Sequence, residues 1–339
     1  MRLSHDEIIS LMHGHIGVTH TDGGLCFERF TPTQKRTYDH CRSKWHPTLN
    51  DDYFVQNCFT DTGILLDVMT DAPSVTFGIR SLTPANGSTY VEADILTDGR
   101  LRRTVSEPGE HTVRLRPTRD GRLRRVTLLF PYFARLCLSD VSVPDGCTVL
   151  PVPRTGLWLA FGDSITHGCL ASTPARTLLG RLAVTSGYEI VSQASSGYVH
   201  DAAVLEPLPD GRQPDLITVA YGINDLGLKK PEDNRADMIA FYKKLTVLFP
   251  AARILMLSPI WAVPMGDTIA PPYAGMYRLF DEVRGTFAER VTLADGLTLV
   301  PHRAELYSPD GVHPADAGFA FYARSLSRIV RSLPFPAKK

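Results

Sequence analysis

The stretch LWLAFGDSITHG, residues 157–168, is an apolar run that breaks into a small polar turn carrying a serine. Five consecutive apolar residues, Leu157 to Phe161, read as a strand buried on both faces, as in a parallel sheet. Gly162, Asp163 and Ser164 end it, and residues able to start a helix follow. A strand passing into a helix in this way delivers the Ser164 hydroxyl to the carboxyl edge of an open α/β sheet, where such sheets keep their chemistry.

Downstream of this turn the texture alternates. YEIVSQ, DLITVA, RILML and VTLAD read as buried strands, while 231–249, 272–290 and 314–333 carry helical spacing with proline near each start. The alternation predicts a parallel sheet with helices on both faces. Upstream, from Tyr53 to Val143, the chain offers short runs rich in β-branched and aromatic residues, among them YFVQNCF, ILLDVMT, SVTFGI and RVTLLF. Turn signals such as Asn86-Gly87, Asp98-Gly99 and Asp120-Gly121 separate them, which predicts an antiparallel β-sandwich or jelly roll. A short helix is expected over Asp6–Met12. The segment VPDGCTVLPVPRTG, with Pro144, Pro151 and Pro153, reads as an extended linker. Two domains are therefore expected, a sandwich over 1–150 and an α/β unit over 151–339.

Composition narrows the partners. Lys plus Arg and Asp plus Glu are both 36 in 339 residues, so no net field draws the chain to nucleic acid or to an acidic membrane. The N-terminus, MRLSHDEIISLMHGHIG, lacks the unbroken apolar core of a signal peptide. The best membrane-span candidate, 245–265, is interrupted by Pro250, Arg253 and Pro259. Six cysteines without a CxxC pair predict reduced thiols, and with them a cytoplasmic chain without membrane or nucleic-acid partners. Oligomeric state is not readable from these features.

A serine hydroxyl becomes a nucleophile when a base takes its proton, an acid orients the base and fixed donors hold the oxyanion. Each part has a candidate beside a strand end. Ser164 follows LWLAF; Gly197 follows YEIVSQ in ASSGY; Gly222 and Asn224 follow DLITVA in AYGIND; Asp310 and His313 lie in SPDGVHP beyond the last strand. Glycine at 197 lets a backbone N–H approach a substrate closely, and the Asn224 amide donates without charge. The turn at Pro309-Asp310-Gly311 bends the chain so that the carboxylate can reach the imidazole.

These motifs, in this order, resemble the SGNH or GDSL-type hydrolase superfamily over about Leu157 to Leu333. The resemblance implies a flavodoxin-like α/β fold, with Ser164 as nucleophile, His313 as base and Asp310 as orienter. The Ser164 amide, the Gly197 amide and the Asn224 side chain would form the oxyanion hole. The α/β-hydrolase elbow GxSxG is absent, since 162–166 read GDSIT. One departure is local: Ser192-Gln193-Ala194 stands where the family often has Asn before its glycine motif. The implied activity is a serine esterase acting through an acyl-serine on small acyl, chiefly acetyl, esters of a saccharide or other alcohol, needing no metal or organic cofactor. Two alternatives stand beside it: an acyltransferase using the same site, and a glycan-binding protein on an inactive hydrolase fold.

Other residues have plainer readings. Asp163 and Asp225 are expected to brace loops, and His167 either borders the pocket or faces solvent. His302 with Glu305 is a rival base and partner lacking a turn between them, and His13 and His15 lack a third metal ligand. The nine arginines between 100 and 125 read as a solvated hairpin face rather than a polyanion site. Tyr38, Trp45, Tyr53 and Phe54 are candidates to pack the sandwich or stack on a sugar. Trp261 is placed as groove wall or core.

Overall fold

The computed structural model describes residues 1–39, 49, 52–116 and 121–333. Helix α1 (His5–Ser10) opens with a capping box, in which Ser4 Oγ accepts from Glu7 N and Glu7 Oε2 accepts from Ser4 N. Next come β1 (Met12–His13), β2 (Gly17–Thr21), β3 (Gly24–Glu28), α2 (Pro32–Asp39) and α3 (Tyr53–Cys58). Antiparallel strands follow: β4 (Leu65–Thr70), β5 (Ser74–Pro84), β6 (Ala93–Thr97), β7 (Arg100–Val105), β8 (Gly109–Arg114), β9 (Arg124–Leu129), β10 (Ala134–Ser142) and β11 (Val149–Pro151).

They form two sheets, β1-β4-β9-β6-β7 and β2-β3-β10-β5-β8. Leu66, Val68, Val126 and Leu128 of one and Leu25, Val75, Phe77 and Leu136 of the other share a core, as aligned sheets do when each buries alternate residues. The expected linker is partly a strand, because Val149–Pro151 pairs with β4 at Thr70–Val68. YFVQNCF is a helix where its composition suggested a strand. Phe54 and Cys58, one turn apart on α3, are buried in an apolar cluster that overrides local propensity.

The α/β unit comprises β12 (Gly156–Gly162), α4 (Ser164–His167), α5 (Leu178–Thr185), β13 (Tyr188–Ala194), β14 (Leu216–Ala220), α6 (Ile223–Leu228), α7 (Pro231–Leu248), β15 (Arg253–Leu257), α8 (Pro271–Thr286), β16 (Val291–Ala294) and α9 (Asp316–Ser332). Its parallel sheet has the order β13-β12-β14-β15-β16, the doubly wound flavodoxin-like arrangement of an SGNH-type fold. The run that ended at Phe161 shows why both faces had to be apolar. Leu157, Leu159 and Phe161 pack with Phe241, Leu245, Phe280 and Val283 of α7 and α8. Trp158 and Ala160 pack on the opposite face with Leu179, Leu182, Phe319 and Leu326 of α5 and α9. Phe30, Tyr38, Phe54 and Cys58 join the first of these clusters, so α2 and α3 lie against the α/β unit rather than inside the sandwich. Among the described residues no helix is long and apolar enough to cross a membrane.

Candidate active site

Strand β12 lies between β13 and β14, so the loops after these three strands gather where the strand order reverses. Ser164 opens α4, whose N-cap Asp163 accepts from Ile165 N at 3.0 Å. Its Oγ lies 2.7 Å from His313 Nε2. His313 Nδ1 lies 2.6 Å from Asp310 Oδ2, while Asp310 Oδ1 accepts from Val312 N at 2.9 Å and His313 N at 3.0 Å. Burial works to raise the Asp310 carboxyl, but the hydrogen bonds from His313 and Val312 outweigh it and hold the group below the usual carboxylate range. An ionised Asp310 places the ring proton on Nδ1 and leaves the Nε2 lone pair toward the serine. Gly311, at φ +71°, closes the turn, and a Cβ there would lie 2.9 Å from Val263 Cβ. Glycine is therefore what lets this turn dock on the β15 loop, where Val263 N donates to Gly311 O.

The other candidates gather on residues 195–200. Gly197 takes φ +77°, the left-handed region, within a turn in which Tyr198 N donates to Ser195 O at 3.1 Å. Asn224, in the first turn of α6, donates from Nδ2 to Tyr198 O at 3.0 Å. An amide nitrogen carries two hydrogens, so this bond fixes the plane of the side chain and leaves the second hydrogen a defined direction. Asp225 braces the same loop, accepting from His200 N at 3.1 Å. Its carboxylate lies 3.1 Å from His200 Nδ1 and 2.9 Å from Lys229 Nζ. Burial pushes that carboxyl up, and the two bases outweigh it and hold it below the usual range.

His167 is neither at a pocket rim nor in solvent: it is fully buried, and burial drives its basicity well below that of a free imidazole. His302 stacks on Trp261, with ring centroids 5.2 Å apart, and its Nε2 meets Leu297 O. Trp261 itself is core, its Nε1 donating to Gly266 O. His13 is buried and His15 half-buried, and burial lowers the His13 imidazole to about 4. No group of metal-binding residues occurs among the described residues. Within the arginine-rich stretch, Arg124 pairs with Asp98 and Arg125 with Asp67. Tyr38 packs on Tyr198, and Tyr53 donates to Ser196 Oγ at 3.3 Å. Trp45 and Cys41 lie outside the described residues.

Sequence reasoning missed Arg29 and Asn57, both fully buried beside the Ser195–Gly197 loop. Arg29 donates to Ser192 O and Ala194 O at the end of β13 and to Asn57 O and Thr60 O at the end of α3. The available signal was slight: a lone arginine beside apolar residues in LCFERF. The departure noted at Ser192-Gln193-Ala194 lies at this contact, with Gln193 Oε1 accepting from Gln34 Nε2 at 2.8 Å.

Residues 160–321 match the GDSL-like Lipase/Acylhydrolase family. No curated relative matches the sequence. Among solved structures, the salicylyl-acyltransferase SsfX3 from a tetracycline biosynthetic pathway superposes with a TM-score of 0.75 at 23% identity, covering 96% of each chain. A carbohydrate esterase family 2 enzyme with a carbohydrate binding domain, from Corynascus thermopiles (Myceliophthora fergusii), gives 0.63 at 16% identity over 80% of this chain and 94% of that one. An acetyl xylan esterase from the rumen bacterium Butyrivibrio proteoclasticus gives 0.57 at 15% identity over 80% and 90%. At these identities the structural likeness speaks for the fold.

Proposed function

We propose, from the premise that residues 160–321 form a GDSL-like lipase/acylhydrolase domain, that the chain is a serine esterase whose catalytic residues are Ser164, His313 and Asp310. The observation that carries this reading is the continuous path of 2.7 Å and 2.6 Å from the Ser164 hydroxyl through His313 to Asp310. Ser164 Oγ attacks the ester carbonyl carbon as its proton passes to His313 Nε2. The tetrahedral oxyanion rests on Ser164 N–H, Gly197 N–H and Asn224 Nδ2, each such donor being worth roughly 3 kcal/mol to the transition state. The carbon–oxygen bond to the alcohol breaks, and His313 returns its proton to the leaving oxygen. Water then attacks the acyl-serine, gives a proton to His313 and releases the acid and free Ser164.

The substrate we favour is a small acyl group, chiefly acetyl, on a saccharide or other alcohol. The small cavity beside the site, about 20 Å³, is lined by Ile165, Ile223 and Val312 but by none of Ser164, Asn224 or His313, so the preference for a small acyl group rests on the family resemblance and not on this cavity. The family 2 carbohydrate esterases of similar fold add support for a saccharide. A second reading, transfer of the acyl group to a bound alcohol in place of water, is favoured by the likeness to a salicylyl-acyltransferase over 96% of the chain. The short Ser164–His313–Asp310 contacts argue against a purely glycan-binding role. The test is turnover of nitrophenyl esters of increasing chain length beside acetylated sugars, with and without added alcohol acceptors. Hydrolysis predicts free acid as the main product from acetyl esters. A transferred ester dominating at dilute acceptor would replace hydrolysis with transfer, and turnover undiminished by Ser164→Ala would end both readings.

A further inference from the structure

The Gly197 amide belongs to a planar trans peptide whose other end is the Ser196 carbonyl, so N–H and C=O point in opposite directions and whatever holds one aims the other. Asn57 Nδ2 donates to Ser196 O at 3.3 Å and lies 3.4 Å from Ser195 Oγ. Its own Oδ1 accepts from Asn86 Nδ2 at 2.9 Å, which settles the orientation of the amide. The preceding peptide is held in the same manner: Ser196 N donates to His167 Nδ1 at 3.2 Å. Because that ring nitrogen faces a donor it must carry a lone pair, so the His167 proton sits on Nε2 and is donated to Thr60 Oγ1 at 2.8 Å. Thr60 Oγ1 also accepts from Arg29 Nη2 at 2.7 Å and passes its own proton to Asn57 O at 2.8 Å. Every donor in this buried chain has a direction, and the chain ends on the two peptides before Gly197.

We propose that Asn57, with His167 on the adjoining peptide, is a positioning residue that aims the Gly197 amide at the substrate oxyanion, so that α3, far upstream in the chain, completes the active site. This rests on the assignment of Gly197 to the oxyanion hole. Neither residue touches the reacting atoms. Arg29 supports the arrangement from behind: its guanidinium, fully buried, donates to carbonyls of both α3 and β13 and so fixes the spacing between them. Burial lowers its pKa to about 10, still a cation at neutral pH. His167, kept neutral by burial, does not exchange its acceptor for a donor.

The test compares the full-length protein with Asn57→Leu, His167→Leu and His167→Gln on an acetyl ester, together with inhibition by a small alkyl boronic acid. The boronic acid adds to Ser164 Oγ, the serine proton passes to His313, and a boronate hydroxyl takes the oxyanion position. Asn57→Leu is expected to lower kcat about 10- to 100-fold with KM little changed, and to weaken the boronic acid by a similar factor, as a misaimed oxyanion donor should. His167→Leu should do the same, while His167→Gln, which restores an acceptor for Ser196 N–H, should recover most of the loss. Unchanged kcat and boronate affinity in folded Asn57→Leu would overturn the proposal, as would equal losses in the two His167 variants. Should Asn57→Leu fail to fold, Asn86→Ala, which removes the donor to Asn57 Oδ1 and to Tyr53 O and leaves Asn57 itself in place, decides by the same two readouts. Ser164→Ala run alongside separates the premises: turnover surviving in that variant defeats the catalytic assignment itself, whatever Asn57 does.

Discussion

Asp310 and His313 stand three residues apart on one turn, with side chains 38% and 21% exposed. The loop 195–200 is instead held by Asn57, His167, Asn224 and Asp225, which come from three separate segments and reach it through buried or partly buried hydrogen bonds. The base needs one carboxylate at hydrogen-bond distance, and a tight turn supplies it locally. An oxyanion hole needs backbone amides held in fixed directions, and a loop rich in small residues does not hold itself. On the proposed assignment the base is thus a local device, whereas the oxyanion side depends on contacts from distant segments, α3 among them.

The sharpest way to break this comparison is to remove the local device. Ser164→Ala or His313→Ala is expected to lower kcat by about 10³-fold or more with the fold kept, read by steady-state kinetics beside circular dichroism. A partly exposed turn should tolerate the change; loss of the folded signal together with activity would show that the turn is structural as well. The reverse holds for Arg29→Met. It leaves the carbonyls of Ser192, Ala194, Asn57 and Thr60 without the donor they now share, and should cost about 3 kcal/mol of stability in denaturant melts. Unaltered stability would mean that the guanidinium does not tie the two segments together. Asn224→Ala removes a single donor from the oxyanion side and is expected to cost about 10²-fold in kcat. Its bond to Tyr198 O makes a small loss of stability part of the same prediction.

The same division decides what could be read from the chain. Strand β12, the parallel order and the motif residues were legible because each is written in a few consecutive letters: an apolar run, a proline at a helix start, a turn glycine. Asp310 and His313 were legible together because three residues separate them. Arg29 and Asn57 were not, since their meaning lies in contacts 138 to 165 residues away along the chain. Helix α3 was hidden for a related reason. YFVQNCF has the composition of a strand, and only the apolar cluster it shares with β12, β14 and α7 makes a helix the better burial. His167 looked like a pocket residue because its spacing from Ser164 was visible and its partners, Thr60 and Ser196, were not.

Asp163 is where the two regions meet, and it gives the smallest expected effect. It caps the helix that carries Ser164, it is buried, and it feels the charge of Asp225 on the oxyanion side. Burial first, and Asp225 in addition, push its carboxyl up to about 7 from the ordinary 3.8, against the hydrogen bond from Ile165. A group whose folded pKa exceeds its unfolded value takes up a proton on folding between the two. Its contribution to stability is therefore full below pH 4 and is lost as the pH rises through about 7. Asparagine caps a helix as well as aspartate does and carries no charge. Asp163→Asn should therefore match the parent near pH 4 and melt a few degrees higher at pH 8, the gap opening between those values. Melting curves that run in parallel from pH 4 to 8 would show that Asp163 folds as a carboxylate. The hydrogen bond from Ile165 would then outweigh burial and the charge of Asp225 together.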